Sequence, residues 1–251
     1  MTALGTSLIS FAVILGGALG GSWLRRALPE RHLTDDTKDV VRLGTGLIGT
    51  IAALVLGLLI ATANGSYDTK VGHVQHIGAD IILLDQLLAQ YGPEAKPARE
   101  GLRQAVGLLV ERIWRENRSE NANRSPFEAT RSGQDTAAII LQLAPQNETQ
   151  RIIKDRAIQL TTDLAQTRFL LFEQSGGSVP LPFLVVLIFW LTIIFDSFGM
   201  FSRPNPILIA ALIVCAVSAS GALFLVLELS APFTGLMQIS SAPLRNALAP
   251  L

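Results

Sequence analysis

Four long apolar stretches dominate the hydrophobic pattern of the chain. A helix needs about 20 mostly apolar residues to cross the hydrocarbon core of a bilayer. Four segments meet that length, at about residues 3–24, 43–63, 179–201 and 207–229. The first has no basic residue before it, is too long for a signal peptide and is followed by no clear small-x-small cleavage site. We therefore predict four transmembrane helices, the first of which is retained.

Between the second and third apolar stretches, apolar residues recur at helical spacing and polar loops separate them. The repeating apolar positions are Ile77, Ile81, Leu84, Leu88 and Tyr91, then Leu102, Val106, Leu109 and Ile113, and later Ile153, Ala157, Leu160, Leu164 and Leu171. A shorter helix is predicted over Ala137–Leu143, and the stretch from Glu116 to Ser125 is polar. The alternation typical of strands is absent, so this region is predicted to be all-helical.

The second span is predicted to continue out of the membrane as one long helix, because no proline or Gly-Pro break occurs between Ala63 and Tyr91. A helix from about Glu148 to Glu173 leads directly towards the third span. We predict that these two helices form an antiparallel stalk, on which the other two helices of the region pack.

The predicted fold class is an all-α membrane protein with four transmembrane helices and a soluble helical domain inserted between the second and third. Residues 1–63 carry the first two spans, residues 64–178 form the soluble domain, residues 179–229 carry the last two spans, and residues 230–251 form a C-terminal tail.

Small residues form stripes on the first two spans. In the first span, Gly16 and Gly20 are spaced as G-x-x-x-G, and Gly17 and Gly21 form an overlapping pair. In the second span, one helix face carries Gly46, Thr50, Ala53, Gly57 and Ala61. Small residues allow helix backbones to approach closely in lipid. The stripe on the second span therefore predicts either packing against other helices of the chain or a pore surface in an oligomer, and in both cases it avoids lipid.

Composition and motifs narrow the function. Charged residues make up only 16% of the chain and the formal net charge is zero, which excludes the basic excess of a nucleic-acid-binding protein. A single cysteine, Cys215, excludes a disulfide framework. There is no phosphate-binding glycine loop, G-x-S-x-G or H-E-x-x-H. We predict that the protein is not an enzyme and needs no cofactor.

The distribution of Lys and Arg predicts the orientation in the membrane, because basic residues in short loops stay in the cytoplasm. The loop between the first two spans carries Arg25, Arg26, Arg31, Lys38 and Arg42, and the link between the last two carries Arg203. Near the membrane, the opposite side has only Lys70 and Arg168 in the helical domain and Arg245 in the tail. We predict a multi-pass protein of the inner (plasma) membrane whose helical domain and termini lie on the non-cytoplasmic side.

The ligand-like residues of the helical region are His73, His76 and Asp80, whose spacings of three and four place them on one helix face. A metal site needs a further protein ligand and a supporting hydrogen-bonded shell, neither of which the sequence supplies. We predict no metal site and interpret these residues as a solvated polar face.

Two acidic residues lie in or beside the later spans. Asp196 follows an apolar run in the third span, where an ionisable group usually faces protein or water. It lies within two turns of the span's cytoplasmic end, so it either influences permeating ions or reaches the interface. Glu228 lies at the far end of the fourth span and is predicted to be close to water. Trp190, in mid-span, is predicted to be a packing residue.

The C-terminal quarter resembles the bestrophin-like family of bacterial membrane proteins. The resemblance rests on FWLTIIF at 189–195, SFGMF at 197–201, Glu228, PFTG at 232–235 and ISSAPLR at 239–245. It implies four spans with a helical insert and distant kinship with bestrophins, which are pentameric anion channels gated in part by calcium.

Several features differ from the family pattern. The family's acidic residue stands three positions before the Pro-Phe pair, whereas here that position is Leu229 and the acid is Glu228. Bestrophins line the pore neck with bulky apolar side chains, carry an acidic calcium clasp and keep their helical portion in the cytosol. Here the corresponding face is Gly, Thr and Ala, and no similar acidic cluster is found.

Two functions remain open from the sequence. The first is a homo-oligomeric ion channel in which the second span lines or flanks the axis. The second is a membrane-anchored interaction or sensor protein whose helical domain binds a partner and whose spans only pack. The predicted partners are the lipid bilayer and further copies of the chain, with ions as partners if the channel function holds, but not nucleic acid.

Overall fold

The computed structural model describes residues 3–27, 35–115, 128–173, 180–202, 205–233 and 235–248. Within these ranges the chain forms helices and turns and no β-strand. The helices are α1 (Ala3–Ala27), α2 (Asp35–Tyr91), α3 (Lys96–Arg115), α4 (Glu128–Gln142), α5 (Glu148–Glu173), α6 (Leu181–Phe201), α7 (Pro206–Ser230) and α8 (Ala242–Leu248). The polar stretch Glu116–Ser125 and the basic residues Arg31 and Arg203 lie outside the described residues.

The four predicted spans are confirmed as helices. Of the described helices, α1, α2, α6 and α7 are long and apolar enough to cross a membrane. Trp190 on α6 packs, partly buried, against the cluster of Ala52, Leu187 and Leu223, which confirms its packing role.

The second span does continue as one long helix, as the absence of a break in the sequence predicts. Helix α2 has 57 residues, which corresponds to about 85 Å at the rise of an α-helix, whereas a span needs only about 20 residues. It starts before the predicted span, so Lys38 and Arg42 lie on the helix and not in a loop. Gly92 follows its end with φ 126° and ψ −175°, a conformation open essentially to glycine alone.

The chain divides into two compact units. The first, the membrane unit, comprises Met1–Ser66 and Ser178–Ser230, and the second, the helical unit, comprises Tyr67–Gly177 and Ala231–Leu251. The sequence analysis treats the last 22 residues as a separate tail, whereas Ala231–Leu251 belongs to the helical unit and contains α8.

In the membrane unit, α1 packs against α6 and α7. The contact with α6 is a backbone approach: a Cβ atom on Gly21 would overlap the main-chain carbonyl oxygen of Asp196, and one on Gly199 would overlap that of Ala18. On the other side, Ser7 Oγ donates a hydrogen bond of 2.9 Å to the carbonyl oxygen of Ser220 on α7. Glycine is therefore required where α1 and α6 cross.

The core of the helical unit is the apolar face that periodicity predicts for the outer part of α2. Val74, Ile77, Ile81, Leu84 and Leu88 are all buried, and residues of α3, α4, α5 and α8 join the same cluster. At the far end of α2, Gln150 Nε2 near the start of α5 donates a hydrogen bond of 2.9 Å to the Tyr91 carbonyl oxygen.

One ion pair lies inside the helical unit and joins α2 to α3. Arg99 donates two hydrogen bonds to the buried carboxylate of Asp85, from Nε at 2.5 Å and from Nη2 at 3.0 Å. The hydrogen bond to Asp85 is the main cause that raises the pKa of Arg99. A two-pronged pair of this kind compensates the buried charge and also fixes the geometry of the two helices.

The third helix predicted for the helical unit starts later than the helix in the structure. We expected Ala137–Leu143, but α4 covers Glu128–Gln142. Its first half is rich in polar residues and shows little apolar periodicity. Thr136 is nevertheless buried, and its Oγ1 would be 3.2 Å from a Cβ on Gly101 of α3. Hydropathy does not detect this contact between a small and a polar residue.

The two overlapping glycine pairs of α1 allow a matched test. Replacing Gly21 by Ala should destabilise the protein by about 1–3 kcal/mol, because the new methyl group overlaps the α6 backbone. Replacing Gly16 by Ala should leave stability equal or higher, because no atom lies within 4 Å of the added Cβ and alanine favours the helix. Thermal unfolding in detergent compares the two variants, and equal melting temperatures would contradict the close contact.

Candidate functional site

The small-residue face of α2 is exposed in the single chain. Gly46, Thr50, Ala53, Gly57 and Ala61 are all accessible. A Cβ on Gly46 or Gly57 would find no neighbouring atom within 4 Å. The Thr50 hydroxyl donates a hydrogen bond of 3.0 Å to the Gly46 carbonyl oxygen, so it is already satisfied within the helix. Within the described part of the chain, the glycines of this face therefore have no intramolecular packing partner.

The other faces of α2 in the membrane have different surroundings. Leu47, Leu54 and Leu58 form a ridge of bulky side chains that are 64%, 71% and 68% exposed. On the inward face Ala52 is buried in a cluster with Leu187 of α6 and Leu223 of α7. Helix α2 thus has an inward face, a leucine ridge and a small-residue face, and only the first contacts its own chain closely.

On α1, the two glycine pairs have different surroundings. Gly17 and Gly21 face α6, and a Cβ on Gly17 would lie 2.7 Å from Cγ2 of Thr192. Gly16 is exposed with open space around it, and a Cβ on Gly20 would lie 3.6 Å from Oδ1 of Asp196. Of the two overlapping pairs, Gly17 and Gly21 make the backbone approach to α6, and Gly16 and Gly20 do not.

Asp196 lies on α6 beside α1 and is half-buried. Its carboxylate borders Gly20, which has no side chain to cover it. In the described part of the chain it forms no ion pair, and Arg203, a candidate partner, lies outside that part. The absence of a side chain at Gly20 thus leaves room beside the carboxylate.

Glu228 is not close to water, contrary to the expectation from its position near the end of a span. Only 3% of its surface is exposed, and Val226 and Leu229 in the same turn of α7 are also buried. The distance of a residue from the end of an apolar stretch says nothing about which helices cover it, so the sequence could not show this burial.

The three ligand-like residues of α2 do not form one cluster. His76 Nδ1 lies 3.0 Å from Asp80 Oδ2, one helical turn away. His73 is not part of this pair, and its Nε2 atom is buried without a hydrogen-bond partner among the described residues. In the part of the chain that the structure describes, no three His, Cys, Asp or Glu side chains come together in a way that would hold a metal ion.

Comparison with known proteins shows the family of this chain. The family profile for the bestrophin-like domain matches residues 12–244, which is nearly the whole chain. The chain belongs to the bestrophin-like family. No curated protein matches it.

Solved structures of other proteins have the same fold as this bestrophin-like protein. A variant of a bacterial bestrophin homologue from Klebsiella pneumoniae superposes with a TM-score of 0.68 at 14% identity, with 99% of this chain and 96% of the other covered. A second variant of that homologue gives a TM-score of 0.63 at 14% identity with the same coverage. A structure described as a membrane protein variant gives 0.63 at 13% identity over 97% and 96% of the two chains.

The family signature after α7 is anchored to α3 of this bestrophin-like protein. Trp114 stacks edge-to-face on Phe233 with ring centroids 5.9 Å apart, and its Nε1 donates a hydrogen bond of 2.8 Å to the Ile239 carbonyl oxygen. Within the turn, Ile239 N donates to the Pro232 carbonyl oxygen at 2.8 Å, and Gly235 has φ 89°. The sequence analysis missed Trp114, although it directly follows the predicted apolar face of α3 and carries a polar N–H that needs a partner.

Removing the charge of Asp196 should leave the fold of this bestrophin-like protein intact. In Asp196→Asn the side chain keeps its shape, and the carboxylate has no ion pair among the described residues that the substitution would break. We expect the size-exclusion profile of wild type and a melting temperature within about 2 °C of it. The surface variant Asp163→Asn is the control, and a changed size-exclusion profile in Asp196→Asn alone would show that the carboxylate has a structural partner.

Proposed function

We propose that this bestrophin-like protein is a homo-oligomeric ion channel of the bacterial inner membrane, in which α2 lines or flanks the axis. Its family and its similarity in fold to bacterial bestrophin homologues support a channel more than an enzyme. The observation that carries the proposal is the exposed small-residue face of α2.

In lipid, an exposed glycine gives up the dispersion contacts that a larger side chain would make. The leucine ridge on the same helix is suited to lipid or to the side of a neighbouring helix, whereas the face of Gly46, Thr50 and Gly57 is suited to close backbone contact or to water. In a ring of α2 helices around an axis, the leucine ridge can face lipid or a neighbouring helix. The small-residue face can at the same time meet another backbone or water. Further copies of the chain are then the partners that the single chain lacks.

In this proposal, the charge of Asp196 near the channel mouth bears on whether the channel selects cations or anions. A ring of Asp196 carboxylates facing water would favour cations, whereas the resemblance to bestrophins implies anions. Reversal potentials for wild type and Asp196→Asn distinguish the two. A shift towards anion permeability in the variant places Asp196 on the ion path, and no shift places it at the interface.

The second candidate function is a membrane-anchored sensor whose helical unit binds a partner. A cavity of about 310 Å³ between α4 and α5 favours it. The wall is mostly apolar, with Ala137, Ile140 and Ile158, and Thr161 and Arg168 add polar groups. This volume lies at the lower end of the range of about 300–1,000 Å³ for small-molecule sites. A sensor of this kind would not conduct ions.

Planar-bilayer recording of purified protein separates the two functions. We expect discrete ion currents from wild type. Gly57→Leu should abolish or strongly reduce them, because a bulky side chain on the small-residue face forces helices apart or blocks the axis. Leu58→Ala, on the leucine ridge of the same helix, should be far milder. Absence of current from correctly assembled wild type would favour the sensor, and equal effects of the two variants would remove the special role of the small-residue face.

We also propose that the helical unit lies outside the cytoplasm, because basic residues concentrate around the link between α1 and α2. In a Cys215→Ser background, a cysteine at the exposed Gln104 of α3 should react with an impermeant thiol reagent in intact spheroplasts. A cysteine at Asp36, near the start of α2, should react only after lysis. The reverse pattern would place the helical unit in the cytoplasm.

A further inference from the structure

Lys70 is a fully buried lysine in the helical unit. It lies on α2, seven residues beyond the predicted end of the second span, with 0% of its surface exposed. Its Nζ atom has no hydrogen-bond partner among the described residues. Lysine is almost never fully buried unless its charge is compensated, because transfer of an ammonium group out of water is very unfavourable. Such a lysine is satisfied either by a compensating negative charge or by loss of its proton.

A second buried nitrogen lies one turn further along the same face. His73 Nε2 is also buried and has no partner in the described part of the chain. Residues three apart on a helix are neighbours, about 4.5 Å apart along the axis. Val74, on the same face, is buried in the core, and Tyr67 packs against that core. Lys70 and His73 thus place two buried nitrogens at neighbouring positions of one helix face, beside residues of the apolar core.

Two acidic side chains of α2 have partners other than Lys70. Asp80 is 3.0 Å from His76, and Asp85 accepts both hydrogen bonds from Arg99. Asp68, two residues before Lys70, is exposed. Burial lowers the pKa of the Lys70 ammonium group.

We propose that Lys70 and His73 bind a small monovalent inorganic anion of the size of chloride. Both groups can donate hydrogen bonds, and an ammonium group can only donate. An anion accepts from both and supplies the missing negative charge, whereas a water molecule accepts hydrogen bonds but leaves the charge uncompensated. Both nitrogens are closed off from solvent, which favours a monatomic ion over a larger oxyanion. This site stabilises the helical unit, and it is independent of whether the protein conducts ions.

The test is the halide dependence of stability in the purified full-length protein. Thermal unfolding is followed in sodium chloride or sodium bromide, with sodium gluconate keeping the ionic strength constant. We expect the melting temperature of wild type to rise with halide and to saturate after an increase of about 2–4 °C. Lys70→Met should lose the halide dependence. Lys96→Met, which removes an exposed lysine from α3 of the same unit, should retain it.

Two results would overturn the proposal. The first is a wild-type melting temperature that does not depend on halide, which would leave a neutral lysine or a protein carboxylate as the explanation of the burial. The second is halide dependence that persists unchanged in Lys70→Met, which would place the ion elsewhere. If Lys70→Met fails to fold, bromide-soaked crystals of wild type decide the question, since a bromide anomalous peak must lie in contact with both side chains. Because no current is measured, a failure here is distinct from a failure of the channel proposal.

Discussion

The crossing of α1 and α6 is the contact on which the membrane unit depends. At Gly21 and Gly199 the two backbones approach so closely that no side chain fits between them. In lipid the hydrophobic effect provides no driving force between helices, so dispersion contacts at such a crossing supply much of the attraction. With α1 fixed against α6, the hydrogen bond from Ser7 to the Ser220 carbonyl oxygen connects α7 to the same helix. The packing of α1 with α6 and α7 leaves the outer surface of α2 exposed.

Small residues therefore have two different roles in adjacent helices. On α1, Gly17 and Gly21 are covered by α6, whereas on α2 the glycines at 46 and 57 have open space around them. Glycine thus marks an internal contact in one helix and an external surface in the next. The exposed stripe becomes intelligible if the functional unit contains several copies, since a single chain in lipid gains nothing from an uncovered glycine face.

Charged groups in the protein differ in how their burial is compensated. Asp85 and Arg99 compensate each other with two hydrogen bonds. Asp196 remains half-buried beside Gly20, where the missing side chain leaves room beside its carboxylate. Lys70 is the extreme case, because its side chain is buried completely and its Nζ atom has no hydrogen-bond partner among the described residues. Since an uncompensated ammonium group would cost several kcal/mol, this position is where a bound anion would contribute most to stability.

The sequence by itself determined the four apolar helices, the uninterrupted length of α2, the buried face from Ile77 to Leu88 and the family. These features are local: they depend on hydropathy, on a period of 3.6 residues and on the absence of proline, all of which neighbouring residues specify together. Only the tertiary structure decided which glycine pair of α1 meets α6, that Glu228 and Lys70 are buried, and that residues 231–251 join the helical unit through Trp114. The physical reason is that burial of a given side chain depends on which distant helix covers it, and one face of a helix looks the same in sequence whether it meets protein, lipid or water.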